Sequence, residues 1–300
     1  MRKDNLISIV VPTYNRQDKL CRLLDSVKKS NKGKYEFEVI VIDDASPRDY
    51  ADTLAKRYPW TNMIRNNAEQ YLAESRNIGM RLAHGKYVFL VDDDNVLDRD
   101  CIASLAAFMD EYALGMAVPY MCYLSKPMTL WCTGATISRR LFTPFVLGNV
   151  PLATAPLLSM CDTAPNAFML SKEAIKKVGL FDTKNFPMHH LEADYGIRLR
   201  LAGFPAMATR KAITYHDIGY EGHFDLDMRH KRRPYNIMVG EVMLRRKWEK
   251  GVWKYTMPFI ILGGICFAIL KNSHMPFKAK PAFMKAALKG YIDGWARRLE

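Results

Sequence analysis

Three short runs, residues 6–12 (LISIVVP), 37–42 (FEVIVI) and 87–91 (YVFLV), are apolar at nearly every position and rich in β-branched side chains. They are too short for core helices and lack the alternation of a half-solvated strand, so they read as strands buried on both faces of a parallel sheet. Helical patterns lie between them. Residues 18–29 place Leu20, Leu23, Leu24 and Val27 on one helical face. Residues 50–57 and 72–83 read as two further helices, with a short strand at 62–65 and Gly85 closing the third helix as its C′ residue. A helix over 99–112 and a strand over 116–120 follow. Strands alternating with helices specify an α/β fold, with right-handed crossovers between parallel strands.

In such sheets ligands bind beyond the carboxyl ends of the strands. The polar residues stand there: Pro12-Thr13-Tyr14-Asn15, Asp43-Asp44 and Asp92-Asp93-Asp94. Three adjacent carboxylates on an apolar strand are costly unless their charge is met. A divalent ion with hard oxygen ligands, Mg²⁺ or Mn²⁺, meets it and also recruits phosphate oxygens. Alternation along a strand sets Asp92 and Asp94 on one side and Asp93 on the other. The competing reading is that Asp93 or Asp94 caps a following helix. A carboxylate at Asp43-Asp44 can accept the imide proton of a uracil or thymine ring, or simply stabilise a turn. Arg76 and Asn77 sit on a helix leading back to this rim, where Arg76 can pair with the acidic cluster or a diphosphate. Neither a GxGxxG fingerprint nor a phosphate loop of NTPases occurs, so a diphosphate here is neutralised by other means.

The segments VVPTYNR (10–16), VIDDAS (41–46), ESRNIGM (74–80) and GKYVFLVDDDN (85–95) occur in this order. Together with PNAFMLSKEAIKKVGLFD (165–182) and EADYGIRLRLAGF (192–204), they closely resemble the family-2 inverting glycosyltransferases of GT-A fold. The resemblance spans residues 6–217. It implies a nucleotide-binding half to about residue 120 and an acceptor-side half from 121 to 228. It also implies that Thr13, Tyr14 and Asp44, beside Asp43, hold the nucleobase. Asp92 and Asp94 form the DxD pair, with Asp94 the direct metal ligand and His216 a further one. The family's catalytic base is the aspartate of a Glu-Asp pair. Aligned on Asp194 and Arg198, that position holds Glu192 here, one methylene longer, with Asp194 the alternative if the loop shifts. Helix capping is the competing role for both.

Composition adds one asymmetry. The net charge is +13, and residues 229–300 carry 16 Lys and Arg against 4 Asp and Glu, so the basicity belongs to the C-terminal quarter. Basic clusters at 229–233 and 245–250 precede an uncharged stretch, 256–270, that is short for a bilayer span and contains Pro258, Gly263 and Gly264. A re-entrant or interfacial hairpin suits it better, and a helix beginning near Trp253 as a marginal span is the alternative. Beyond it Met284, Leu288, Tyr291, Trp295 and Leu299 recur at helical spacing among lysines and arginines, the pattern of a helix in a membrane interface. Packing of that stripe on the catalytic domain is the alternative. Long aliphatic runs among the aromatics argue against nucleic acid as the partner.

The six cysteines form no CxxC pair and the N-terminus runs into a strand without an apolar leader, so reduced thiols and a cytoplasmic membrane face are expected. The expected reaction is transfer of a sugar from a nucleotide-sugar, UDP-linked by family frequency, to a lipid-linked or surface-glycan hydroxyl. A nucleotidyltransferase and a non-catalytic GT-A scaffold are the competing classes.

Overall fold

The computed structural model describes residues 4–48, 51–138, 144–218, 233–272 and 275–299. Each apolar run is a buried strand. β1 (Leu6–Thr13), β2 (Glu36–Asp43), β3 (Thr61–Arg65) and β4 (Tyr87–Val91) lie parallel in the order β3-β2-β1-β4. α1 (Gln17–Lys29), α2 (Ala51–Arg57) and α3 (Tyr71–Leu82) connect them. Leu20, Leu23, Leu24 and Val27 of α1 are buried in the core, as the helical spacing predicts.

Gly85 does not close α3, which ends at Leu82 with Ala83 as its cap. A Cβ on Gly85 would stand 2.7 Å from Leu6 O and from Ser8 N, so the glycine lets the chain entering β4 lie against β1.

The remaining strands extend the same sheet with mixed direction. β5 (Asn95–Leu97), α4 (Cys101–Tyr112), β6 (Met116–Tyr123) and β7 (Lys126–Cys132) come first. β8 (Ala135–Ile137) and β9 (Pro144–Val146) pair as a separate small sheet, followed by β10 (Val150–Pro151) and β11 (Leu158–Met160). Then come β12 (Ala167–Ser171), α5 (Lys172–Val178), α6 (Leu191–Leu201) and β13 (Ala206–His216). β12 runs antiparallel between β4 and β6, while β13 lies parallel to β6 and antiparallel to β5. The register of that last pair sets His216 opposite Asn95, next to the acidic turn.

Three helices follow: α7 (Arg233–Trp248), α8 (Trp253–Lys271) and α9 (Lys280–Ala296). Val239, Met243 and Leu244 of α7 join the main core, and Met238 and Val242 join a second cluster with α8 and α9. Residues 253–271 form one continuous helix starting at Trp253, the alternative reading, rather than a hairpin. Gly263 and Gly264 have nothing within 4 Å of a would-be Cβ, so they sit on its open face and force no turn.

Two expectations for this quarter are corrected. Met284, Tyr291 and Trp295 pack on α7 and α8, with Trp295 stacked on Tyr255 at 5.2 Å, and Leu299 packs on the main core. Only Leu288 of that stripe is strongly exposed. The 245–250 cluster is likewise turned inward except for Lys250, which is exposed. Arg245 is buried between Glu241 and Glu249, Arg246 donates to Gly294 O and Arg297 O, and Lys247 lies 2.8 Å from both Asp182 and Asp194. Of the 229–233 cluster only Arg233 is among the described residues.

Candidate active site

β4 ends at Val91, so the acidic triplet lies on a turn, and period-two alternation does not sort its side chains. No helix begins there either, since β5 follows and α4 starts only at Cys101. Each carboxylate has its own neighbours. Asp93 accepts from Thr13 Oγ1 at 2.7 Å and from Arg16 at 3.2 Å. Arg16 also reaches Asp94 Oδ2 at 3.0 Å, and Asp92 Oδ1 accepts from Arg76 at 2.7 Å. Burial pushes the Asp93 carboxyl up to about 7, with Arg16 pulling against it. Burial also raises Asp94, but His216 and Arg16 outweigh it and hold that carboxyl below its ordinary value.

His216 Nε2 stands 3.4 Å from Asp94 Oδ1, close enough for an ion pair but without hydrogen-bond geometry. Asp94 Oδ1 and His216 Nδ1 are both buried with no hydrogen-bond partner among the described residues. The Trp131 ring packs on the His216 ring at 4.4 Å. Among the described residues no group of three or more His, Cys, Asp or Glu forms a ready-made metal cage. A hard carboxylate oxygen that accepts no hydrogen bond, beside an imidazole nitrogen, nevertheless fits an ion of Mg²⁺ or Mn²⁺ type, which keeps waters and takes its other ligands from substrate phosphates.

Several expected donor contacts are used up inside the protein. Asp43 is fully buried, accepting from Ser46 and Arg65, and so is withdrawn from the rim. Asp44 accepts from Asn66 Nδ2, Gln70 N and Tyr71 N, each at 2.8 Å, and thereby caps α3. Those bonds take three of roughly four lone-pair sites of the carboxylate. Asn77 exchanges two hydrogen bonds with the Phe181 backbone, at 2.9 and 3.0 Å, and so ties α3 to a distant loop instead of facing a donor. Thr13 and Asp93 hold each other beneath the rim. Tyr14 remains 42% exposed beyond Pro12, while Asn15, with φ 54°, donates its N–H to Ser46 Oγ.

Arg76 has no exposed surface. Its guanidinium lies over the rings of Phe168 and Phe181 and reaches Glu192 Oε1 at 2.5 Å as well as Asp92. Burial alone would lower its pKa, but the two carboxylates raise it well above the ordinary value. Glu192, on the first turn of α6, keeps 18% of its side chain accessible. Asp194 is instead fully buried, accepts from Arg198 Nε at 2.9 Å and from Trp248 Nε1 at 2.8 Å, and forms an ion pair with Lys247 Nζ at 2.8 Å. The structure therefore separates the two candidate bases: Asp194 anchors α6 to α7, while Glu192 faces the acidic turn.

Arg16 and Trp131 were not singled out as site residues in the sequence. Arg16 carried a usable signal, a cation directly after a strand end that shares its rim with three aspartates. Trp131 carried none, because its place beside His216 depends on pairings of β6 with β7 and β13.

The model of the family described as Glycosyl transferase family 2 matches residues 8–178. Poly(ribitol-phosphate) β-N-acetylglucosaminyltransferase TarS of Staphylococcus aureus is 33% identical over 111 residues, which are 35% of this chain but 19% of TarS. A PGL/p-HBAD biosynthesis glycosyltransferase of Mycobacterium tuberculosis is 23% identical over 257 residues, 82% of this chain and 91% of that protein. In fold, crystalline TarS matches with a TM-score of 0.58 at 17% identity, over 96% of this chain and 49% of TarS. GalNAc-T7, solved with UDP, GalNAc and Mn²⁺, matches with 0.65 at 15% identity, over 99% and 57%. With GT-A-type architecture and a family match across more than half its length, the chain belongs to glycosyl transferase family 2.

Proposed function

We propose that this protein is an inverting glycosyltransferase that moves a sugar from a nucleotide-diphosphate donor, UDP-linked, to a hydroxyl of a lipid-linked or surface glycan. One observation carries the reading: Arg76 brings Glu192, the partly accessible carboxylate, to the acidic turn that holds the Asp94–His216 pair. Pro12 and Tyr14 line the donor side, and Asp44 shapes it by fixing the start of α3. Asp94 and His216 would hold Mg²⁺ or Mn²⁺, which when bound supplies charge neutralisation to the diphosphate and to the departing nucleotide. Glu192 takes the proton of the acceptor hydroxyl as its oxygen bonds to the anomeric carbon. The bond from that carbon to the diphosphate breaks on the opposite face, which inverts the configuration. Carboxylate Glu192 becomes a carboxylic acid and later releases its proton to solvent.

The reading is tested by thermal unfolding with a panel of UDP-, dTDP- and GDP-sugars, each with and without Mn²⁺, followed by hydrolysis of whichever donor stabilises the fold. Metal-dependent protection by one nucleotide class, with release of its diphosphate form, is expected. Consumption of a nucleoside triphosphate instead would favour a nucleotidyltransferase, and no protection by any donor would favour a scaffold.

The acceptor side of this proposal places the protein on the cytoplasmic face of a membrane. α8 is the one described helix long and apolar enough to cross a bilayer by length and composition. It buries Pro258, Leu262, Ile265 and Ile269 against its neighbours and exposes Tyr255, Phe259, Ile260, Phe267 and Leu270. Such a face is unusual on a soluble surface. With α7 and α9 covering its other side, α8 fits a helix lying in the interface, flanked by Lys254, Lys271 and Lys278 for anionic headgroups.

A further inference from the structure

We infer that Arg76 is a positioning residue for Glu192, locking the candidate base to the acidic turn, and that it makes no contact with the donor. The inference rests on the proposed reading of Glu192 as the base.

An arginine near acidic residues and a diphosphate would ordinarily be assigned to the diphosphate. Its burial excludes that here. The side chain has no accessible surface, one terminal nitrogen is taken by Asp92 and the other by Glu192, and aromatic rings flank the guanidinium. Nε alone has no hydrogen-bond partner among the described residues, and it too is buried, so a phosphate reaching either terminal nitrogen would have to displace a carboxylate. The two partners come from different parts of the chain, a strand-end turn and the first turn of α6, and Arg76 arrives from α3. The guanidinium therefore fixes three elements relative to one another. A planar fork is suited to this, because it can hold two carboxylates at set angles where an ammonium holds them only by charge.

The length of Glu192 belongs to the same arrangement. Oε1 meets Arg76 at 2.5 Å from a backbone position on the first turn of α6. Aspartate at this position would be one methylene shorter and would fall out of that contact. That bond engages Oε1 alone, and with 18% of the side chain accessible we assign Oε2 to the acceptor hydroxyl. Arg76 thus orients one oxygen and releases the other for proton transfer.

The test compares wild type, Arg76→Lys, Glu192→Asp and the double variant in full-length protein. UDP with Mn²⁺ is the binding probe by calorimetry, and the donor that wild type turns over fastest is the kinetic probe. Misplacement of a reacting group by about 1 Å costs on the order of 100-fold. We expect each single variant to lose roughly 10- to 100-fold in kcat. The affinity for UDP and the donor KM should stay within about threefold of wild type. The double variant should lose little more than the worse single one, because both break one contact. A tenfold or greater loss of UDP affinity in Arg76→Lys with kcat retained would make it a donor ligand and overturn the inference. So would multiplicative losses in the double variant, or full activity in Glu192→Asp, which reads out even if Arg76→Lys does not fold. Failure of wild type to bind or turn over any donor would instead strike the functional proposal.

Discussion

Replacing Asp194 with asparagine separates an anchor from a catalytic group in the segment where the family resemblance allows either Glu192 or Asp194 as base. The carboxylate is fully buried, accepts from Arg198 and Trp248 and pairs with the Lys247 ammonium, so α6 and α7 meet through it. Asparagine keeps the shape, removes the charge and turns an N–H₂ toward one of three donors. Lys247 retains Asp182 at 2.8 Å, while Arg198 keeps Val178 O at 3.0 Å, so the loss is partial for each cation. Breaking a buried ion pair by removing one partner costs about 3–5 kcal/mol. For a chain of this size that lowers the unfolding midpoint on the order of 10 °C. Urea unfolding monitored by tryptophan fluorescence gives the stability, and donor turnover per folded molecule gives the activity. Trp248→Phe, which deletes the N–H donor and also the five-membered ring packed on the core, should cost about 1.5–3 kcal/mol for the hydrogen bond and more for the space left. Both variants should keep most of their turnover at a temperature where they remain folded. Wild-type stability combined with complete loss of turnover in Asp194→Asn would refute this reasoning and make Asp194 the base.

Three other outcomes follow from the packing and charge. Gly85→Ala drives a Cβ to 2.7 Å from backbone atoms of Leu6 and Ser8, which cannot swing aside; a loss of about 1–3 kcal/mol in urea unfolding is expected, and a neutral result would contradict the close approach. Burial would raise the pKa of Asp110, but hydrogen bonds from Lys86, Tyr87 and Tyr35 outweigh it and hold the carboxyl below its ordinary value. A depressed folded pKa gives stability that is present above the unfolded value and fades as pH falls through the folded one. Asp110→Asn should therefore cost about 1–2 kcal/mol at pH 7, with the gap to wild type narrowing below about pH 4. Phe259→Glu with Phe267→Glu on α8 should abolish co-sedimentation with vesicles of anionic phospholipid while leaving donor hydrolysis in detergent intact; unchanged sedimentation would remove α8 as the contact, and a shift in oligomeric state instead would identify a second copy as its cover.

Much of the fold was legible because hydrophobic period is a local signal. The runs at 6–12, 37–42 and 87–91 and the spacing of Leu20, Leu23, Leu24 and Val27 each report how their own residues are buried. The same signal does not say what does the burying. The stripe through Met284, Tyr291 and Trp295 has the pattern of a membrane face, yet α7 and α8 cover it and the open face falls on α8. Site chemistry divided similarly. Strand ends placed the acidic residues on one rim, whereas the use of Asp44 by α3, of Asn77 by Phe181 and of Arg76 by Glu192 was hidden. Those pairings join residues 26, 27, 104 and 116 positions apart, and no local pattern records them.

The most direct test of the central claim is turnover of the panel-identified donor by wild type, Glu192→Gln and Asp94→Ala, with Mn²⁺ varied. Removal of a general base typically costs 10²- to 10⁴-fold. We predict a loss of about that size in kcat for Glu192→Gln with donor affinity retained, and for Asp94→Ala a loss of metal-dependent turnover. Wild-type turnover in Glu192→Gln, or a rate indifferent to both Asp94 and Mn²⁺, would contradict the account.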